Sequence, residues 1–398
     1  MAISPVRTTS NQGFSIETIV RTLRSVLDSQ QVPHTLHQPR FAGREREYLV
    51  DCIDTGWVSS VGAYVDRFEQ ELAEFTGSKR VVAVVNGTAA LQIALKLSGV
   101  QPGDEVLIPA LTFVATANAV AYLGAFPHFV DSSQQTLGID SGRLVEYLDE
   151  IAETSSCGCI NRVTGRPIRA VVPMHTFGHP VDMDPLLEVA SRWKIEVVED
   201  AAEGLGSYYK GRHVGTLGRI GVLSFNGNKI ITTGGGGALL FQNEEEGRVA
   251  KHITTTARQP HPWRYFHDQV GYNFRMPNLN AALGCAQLEQ LPKFIVAKRL
   301  LHECYRVAFA SVPGVQLIAE PPLTQSNYWL NALLLDEEFA TQRDALLDAT
   351  IKDGIMTRPV WTLMSRLPMY ENCPRMELPV AESLEKRIVN IPSSASEK

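Results

Sequence analysis

The sequence predicts an α/β protein in which helices cover both faces of a mostly parallel seven-stranded sheet, with a smaller α+β domain at the C-terminal end. A chain of 398 residues is longer than one simple core usually organises, since domains average roughly 150 residues. Up to about residue 250, short apolar runs alternate with stretches of helical periodicity. That alternation is typical of parallel strands buried between helices, and ligands of such sheets bind beyond the carboxyl ends of the strands.

Composition and charge exclude several classes of protein. The hydrophobic fraction of 44% and the charged fraction of 20% are those of an ordinary globular enzyme. The net charge of −6 provides no basic field for nucleic acid, and no apolar run approaches the ~18 residues that cross a membrane. The six cysteines are scattered and have no zinc or redox spacing. We therefore expect a cytoplasmic enzyme with reduced thiols, without nucleic-acid or membrane partners and without a metal.

The chain divides into three parts. Residues 1–33 form an N-terminal extension with one amphipathic helix, whose apolar residues run at helical spacing from Phe14 to Leu27. We expect this helix to pack on the body of the protein or on a partner subunit. Residues 34–250 form the large domain and residues 251–398 the small C-terminal domain, which ends in a loop-rich stretch. Seven buried strands are predicted in the large domain, at residues 81–85, 106–109, 128–130, 170–173, 196–199, 222–225 and 238–241.

The first strand leads into a glycine turn and a helix start at Asn86-Gly87-Thr88-Ala89. Such a turn points free backbone N–H groups and the positive end of the helix at one place, which suits a phosphate. Gly87 permits close approach, and Thr88 either adds a hydroxyl or caps the helix. Plain capping is the alternative. Neither GxGxxG nor GxxxxGK(S/T) is present, so the sequence supports neither a dinucleotide-binding fold nor an NTPase loop.

Carboxylates cluster where the fifth strand ends. Glu199 and Asp200 are consecutive at the strand end, and Glu203 follows one helical turn later. A carboxylate in that position can keep a protonated ring nitrogen charged, because opposite charges at about 4 Å stabilise each other. The alternative for Asp200 is the N-cap of a following helix.

A single lysine, Lys229, follows the sixth strand and precedes the four glycines 234–237. A partly buried amine loses proton affinity and becomes a nucleophile near neutral pH, which favours a Schiff base. The alternative is a surface lysine in a glycine-rich hairpin. Phe113 follows another strand end and either stacks on an aromatic ligand or packs in the core, and His175 is either an acid/base group or a core histidine.

Taken together, these features describe a pyridoxal phosphate pocket. The cofactor needs an amine for its aldehyde, an anion site for its phosphate and a carboxylate for its pyridinium nitrogen. A phosphate-binding helix start, a carboxylate at a strand end and a glycine-flanked lysine occur in that order on one predicted sheet.

Five motifs carry a resemblance to a known family: NGTAAL, PGDEVLIPALTFVATANAV, VVEDAAEGLGS, LSFNGNKIITTGGGGAL and GYNFRMPNLNAALG. They resemble the nucleotide-sugar aminotransferases of the DegT/DnrJ/EryC1/StrS family, which implies a fold-type I pyridoxal phosphate enzyme that is active as a homodimer. By that likeness Lys229 is the Schiff-base lysine, Asp200 contacts the pyridinium nitrogen, and Glu203, where many members carry glutamine, lies near the ring hydroxyl. The remaining matches are Gly87, Thr88, Ala89 and Ser224 at the phosphate, Phe113 on the ring, and Asn273 reaching the phosphate of the neighbouring subunit.

The resemblance also implies a reaction, in which L-glutamate donates an amino group to C4 of a nucleotide-linked 4-keto-6-deoxy sugar and leaves 2-oxoglutarate. Within the family, the sequence most resembles the enzymes of legionaminic-acid-type pathways, which act on UDP-4-keto-2-acetamido-2,6-dideoxyhexose. GDP-perosamine synthases, which act on GDP-4-keto-6-deoxymannose, are the second reading. The dehydrase branch of the family carries histidine in place of Lys229, so the lysine argues against that activity. A cofactor-sensing regulator would need a DNA-binding module, which an N-terminal extension with one helix does not supply. Candidates for the sugar site are His175, Arg258, His267 and Arg358, in no order.

Overall fold

The computed structural model describes residues 13–27, 33–156 and 158–395, and all structural statements below concern these ranges. The helices are α1 (Ile16–Val26), α2 (Glu45–Asp54), α3 (Ala63–Thr76), α4 (Gly87–Leu97), α5 (Val114–Ala121), α6 (Ser141–Ile151), α7 (Met183–Trp193), α8 (Glu244–Thr254), α9 (Asn278–Leu288), α10 (Leu291–Phe309), α11 (Arg343–Lys352) and α12 (Pro379–Arg387). The strands are β1 (Arg80–Val84), β2 (Glu105–Pro109), β3 (Phe126–Val130), β4 (Ala152–Ser155), β5 (Gly158–Asn161), β6 (Pro167–Val171), β7 (Glu196–Asp200), β8 (Tyr208–Tyr209), β9 (Arg212–His213), β10 (Ile220–Ser224), β11 (Gly237–Phe241), β12 (Val315–Leu317), β13 (Thr324–Gln325), β14 (Asn331–Leu335), β15 (Arg358–Pro359) and β16 (Ile388–Ile391).

The main sheet has its seven central strands in the order β1-β11-β10-β7-β6-β2-β3. The run from β10 to β3 is parallel, whereas β11 pairs antiparallel with both of its neighbours. These are the seven strands that the apolar runs predict, so the mostly parallel sheet is confirmed. No apolar run in the sequence predicts the hairpin of β4 and β5, which extends the sheet beside β6. Its outer strand is polar and partly exposed, so it lacks the apolar run of a buried strand.

A second, four-stranded antiparallel sheet, ordered β12-β14-β16-β15, is formed by the C-terminal part of the chain. The stretch that was predicted to be loop-rich is largely irregular, but it also contains α12 and β16, which the prediction missed. β16 is buried throughout because it lies in the middle of this sheet, between β14 and β15. Its four residues are too few to stand out as a periodic segment.

The N-terminal helix α1 packs on helices α10 and α11 of its own chain. Ile19 and Leu23 are fully buried against Tyr305 of α10 and Leu346 of α11. The predicted helix is therefore present and covers the body of the protein, the first of the two expected positions. Residues 1–12 and 28–32 of the extension lie outside the described residues. Within the described ranges, no helix has the length and apolar character needed to span a membrane.

Candidate active site

A cavity of about 270 Å³ lies at the carboxyl ends of β1, β7 and β10. Parallel strands bring these ends to one edge of the sheet, which is where α/β sheets bind ligands. Residues that the sequence analysis had singled out make up much of its lining, and two tryptophans from later in the chain join them. The lining includes Gly87, Thr88, Phe113, Asp200, Glu203, Ser224, Lys229, Trp329 and Trp361.

Lys229 extends into this cavity and is not a surface residue. The turn after β10 is closed by backbone hydrogen bonds from Phe225 N–H to Gly236 O, 2.8 Å, and from Thr233 N–H to Phe225 O, 3.0 Å. Gly236 is required there, because an added Cβ would lie 2.3 Å from the Thr233 hydroxyl oxygen. Only 12% of the lysine side chain is exposed, and its Nζ donates to Glu203 Oε1 at 3.1 Å. The exposed-hairpin alternative is therefore wrong.

Glu203 is a buried carboxylate on the floor of the cavity. Its second oxygen, Oε2, accepts a hydrogen bond from the backbone N–H of Phe177 at 2.8 Å. Burial raises the pKa of Glu203, and this effect outweighs the opposing pull of the Lys229 ammonium and the Phe177 N–H. The carboxylate is thus fixed at both oxygens, one of them by the lysine.

Asp200 is the last residue of β7 and is also buried in the cavity. Its Oδ2 accepts from the Thr116 hydroxyl at 2.7 Å, and its Oδ1 accepts from the Ala202 N–H at 3.2 Å. Burial raises the pKa of Asp200, against the effect of these two donors. The helix-cap alternative is wrong, because no helix follows β7 and Gly206, at φ +82°, lies in the turn after it. Thr116 had not been singled out from the sequence.

Glu199 precedes Asp200 and faces away from the cavity, since successive strand residues point to opposite sides of the sheet. It accepts backbone N–H groups of the loop at Gly215, Leu217 and Gly218, at 2.7, 2.6 and 2.6 Å. His175 donates to it as well, at 3.1 Å from Nε2. The other ring nitrogen of His175, Nδ1, accepts the Val181 N–H at 3.1 Å, so the neutral ring is fully used. His175 is a core histidine and does not line the cavity.

The first turn of α4 forms the anion-binding side of the cavity. The N-cap is Asn86, whose side chain accepts the Ala89 N–H at 2.8 Å, so the suggestion that Thr88 caps the helix is wrong. The amides of Gly87 and Thr88 have no acceptor within the helix. A Cβ on Gly87 would lie 3.0 Å from the Cβ of Ser224, a contact tighter than most Cβ atoms make. Ala89 does not line the cavity, and its N–H is already used by the cap.

Aromatic side chains form the rim. Phe113 is 47% exposed at the start of α5, and its ring centroid lies 6.1 Å from that of Trp361. Trp329 lies deeper, with its ring centroid 4.1 Å from Lys229 Nζ. Sequence reasoning missed both tryptophans, because they come from segments beyond residue 320 that carry no signal linking them to Lys229.

The remaining candidates lie outside the cavity of this chain. Asn273 is exposed, and its Oδ1 accepts from the Arg275 guanidinium at 2.8 and 3.0 Å. Arg258 pairs with His267 across an exposed hairpin, and its guanidinium lies 4.2 Å from the ring centroid of Tyr265. Arg358 is an exposed residue of β15. None of these four residues is brought to Lys229 within one chain.

This arrangement combines an anion site, a buried carboxylate and a buried amine within one cavity, and similarity to known proteins agrees with it. A sequence model described as the DegT/DnrJ/EryC1/StrS aminotransferase family matches residues 39–397. GDP-perosamine synthases from Vibrio cholerae and Caulobacter vibrioides are each 37% identical to the chain, over 90% of it and 93% and 92% of their own lengths. The crystal structure of the aminotransferase TlmJ from Streptoalloteichus hindustanus matches with a TM-score of 0.81 and 29% identity, covering 90% of this chain and 93% of that one.

Proposed function

The chain belongs to the DegT/DnrJ/EryC1/StrS aminotransferase family, and from that premise we propose that it transfers an amino group from L-glutamate to C4 of GDP-4-keto-6-deoxymannose. It is a pyridoxal phosphate-dependent nucleotide-sugar aminotransferase. The choice of GDP sugar rests on one observation, the 37% identity to GDP-perosamine synthases across nine-tenths of the chain. The UDP-linked 4-keto-N-acetyl sugar, favoured by the motifs alone, becomes the second candidate.

The cavity fits the cofactor on the evidence of its own residues. The open amides of Gly87 and Thr88 and the hydroxyl of Ser224 suit a phosphate, and a Cβ at residue 87 would crowd Ser224 at 3.0 Å. The buried carboxylate of Asp200 suits a ring nitrogen that carries a proton. Phe113 on the rim suits the face of an aromatic ring. Ala89 contributes to this site through its position in the helix start and not through its N–H.

When bound, pyridoxal phosphate supplies an aldehyde that accepts amines and a ring that withdraws electrons from the bond being broken. Asp200 holds the proton on the ring nitrogen, and Thr116 and Ala202 orient the carboxylate that does so. Lys229 carries the cofactor and, once released, moves a proton at its Nζ. Glu203 holds that Nζ at 3.1 Å. Trp329 and Trp361 form apolar walls of the cavity that contains this amine.

We further propose that two copies of the chain share their active sites. The exposed position of Asn273, away from the cavity of its own chain, supports a role toward the phosphate of a neighbouring subunit. Arg258 and His267, on the exposed hairpin that follows α8, are available for the same kind of contact. In this proposal His175 has no part in sugar binding, because both of its ring nitrogens are used within the core.

Two measurements test the proposal. Borohydride treatment of the loaded enzyme should attach the cofactor irreversibly to the peptide containing Lys229, as detected by peptide mass spectrometry, and Lys229→Ala should show no attachment. The purified enzyme is then incubated with L-glutamate and either GDP-4-keto-6-deoxymannose or UDP-4-keto-2-acetamido-2,6-dideoxyhexose, and the amino sugar is measured by mass. Turnover of the UDP sugar alone would replace the first substrate with the second. Turnover of neither would overturn both.

A further inference from the structure

Trp329 lies against Lys229, and no motif in the sequence accounts for this contact. The indole centroid is 4.1 Å from Nζ, within the range in which an ammonium is attracted to the face of an aromatic ring. On another side, the same Nζ contacts Glu203 Oε1 at 3.1 Å. The amine is therefore held between one carboxylate and one aromatic face.

Trp329 is fixed by hydrogen bonds on three sides. Its Nε1–H donates to Asn228 O at 2.7 Å, beside Lys229 in the chain. Its backbone N–H donates to the side chain of Asn327 at 2.8 Å, and its carbonyl accepts from the buried ammonium of Lys298 at 3.0 Å. The ring thus has a defined position over Nζ and is not a mobile wall of the cavity.

Asn327 extends this connection to the other side of the amine. Its side-chain N–H₂ donates to the carbonyls of Glu203 and Leu205, both at 2.8 Å. One buried asparagine therefore sets the distance between the segment that carries Glu203 and the segment that carries Trp329. The two groups that contact Lys229 are spaced by the protein and do not meet by chance.

We propose that Trp329 is a positioning residue that, together with Glu203, holds the Lys229 ammonium whenever the lysine is not bonded to the cofactor. This inference rests on the proposed function, because the lysine is released when an amine substrate displaces it from the cofactor. Between the two half-reactions the free ammonium has to stay within reach of the reacting carbon. Without the aromatic face, the ammonium on its flexible stem would keep just one of these two direct contacts, that with Glu203.

The test measures how readily Lys229 loses its proton, using the full chain from which the cofactor has been removed. Acetic anhydride labels only unprotonated amines, and peptide mass spectrometry follows labelling at Lys229 across pH. The maximal rate at high pH reports access to the amine, whereas the midpoint of the pH profile reports how strongly the ammonium is stabilised. The other titratable groups acting on Lys229 are Glu203, Asp200 and His37, and they are unchanged in every variant.

The variants replace Trp329 by Tyr, Phe and Leu, in order of weakening aromatic face. Losing the face in Trp329→Leu should raise the unprotonated fraction below the midpoint by roughly three- to thirty-fold, with the Tyr and Phe variants between it and the wild type. Trp361→Leu is the matched control, since Trp361 lines the same cavity but packs on Phe113 and Phe177. In this control the maximal labelling rate should change, whereas the unprotonated fraction of Lys229 below the midpoint should stay within a factor of two of the wild type.

Equal midpoints across the Trp329 series, or an equal shift in Trp361→Leu, would overturn the proposal. If Trp329→Leu does not fold, the Tyr and Phe variants decide, and midpoints equal to that of the wild type overturn it again. The outcome is separable from the proposed function, because labelling requires no turnover. A wild-type enzyme that aminates no sugar would refute the function, whereas flat midpoints with normal turnover would refute only the role of Trp329.

Discussion

Asp200→Asn and Glu199→Gln should produce opposite defects, although the two acids are adjacent in the sequence. The asparagine can keep both contacts of Asp200, because its oxygen accepts the Ala202 N–H while its amide donates to the Thr116 hydroxyl oxygen. We therefore expect a loss of stability below about 1 kcal/mol. What disappears is the charge that faces the ring nitrogen.

The expected loss of activity in Asp200→Asn follows from the burial of this carboxylate. Removing one partner of a buried ion pair costs about 3–5 kcal/mol, and Asp200 is only 3% exposed. That range corresponds to a loss of roughly 10²- to 10⁴-fold in kcat/KM for amino transfer. The pH dependence of the absorbance of the bound cofactor should also change, because the uncharged asparagine no longer holds the proton on the ring nitrogen.

Glu199→Gln should instead weaken the fold. Each oxygen of Glu199 accepts two N–H groups, so an amide nitrogen at either position would face two donors. Hydrogen bonds to a charged acceptor contribute about 1.5–3 kcal/mol each, and losing two of them should lower the melting temperature by several degrees. We expect the folded protein to keep kcat/KM within about threefold of the wild type.

Steady-state kinetics with L-glutamate and the sugar substrate, together with thermal melts of both variants, check this pair of predictions. The reasoning fails if Asp200→Asn keeps more than a tenth of the wild-type kcat/KM. It also fails if Glu199→Gln loses a hundredfold while melting at the wild-type temperature. Either result would mean that the wrong carboxylate faces the cofactor.

Three further predictions concern stability, assembly and backbone fit. Burial lowers the pKa of His213 from its ordinary value of 6.5 to about 4. The neutral imidazole therefore contributes fully to the free energy of unfolding above pH 6.5, and this contribution is lost as the pH falls toward 4. In urea denaturation, His213→Gln should reduce the slope of the unfolding free energy against pH in this range by up to about 1.4 kcal/mol per pH unit. Mixing Lys229→Ala with Asn273→Ala under subunit exchange should restore activity at limiting cofactor, since one site of a mixed dimer keeps both residues. No recovery despite proven exchange would mean that Asn273 does not serve the active site of the neighbouring subunit. Gly178→Ala should lower both the melting temperature and turnover, because Gly178 has φ +94° and its added Cβ would lie 1.9 Å from Asn327 Oδ1; a wild-type melting curve would contradict this.

The sequence predicted the part of the site that is local to strand ends. Gly87, Asp200 and Lys229 each follow a buried apolar run, and parallel pairing brings such ends to one edge of the sheet. The alternation of side chains along β7 would also have separated Asp200 from Glu199, because consecutive strand residues face opposite sides. That inference needs no structure, only the assumption that the strand continues through Asp200.

The parts that sequence reasoning missed are those that depend on distant segments. Thr116 lies 84 positions from the carboxylate that it contacts, and Trp329 lies 100 positions from Lys229. Neither has local periodicity or turn chemistry that indicates a partner. The same holds for the hairpin of β4 and β5, whose polar outer strand lacks the apolar pattern on which strand prediction depends.

The acid at Glu203 is explained by the same balance of charges in the cavity. The cavity contains two buried carboxylates, and burial raises the pKa of both, so each ionised form needs a cation close by. Lys229 supplies that cation to Glu203 at 3.1 Å, and the charge on Asp200 is left for the ring nitrogen. A glutamine at residue 203 would accept a hydrogen bond from the same ammonium without neutralising it, and the Trp329 face would then be the only strong electrostatic partner in contact with it. In this chain the lysine is held by charge and by an aromatic face together, and both contacts are set by the side chain of Asn327.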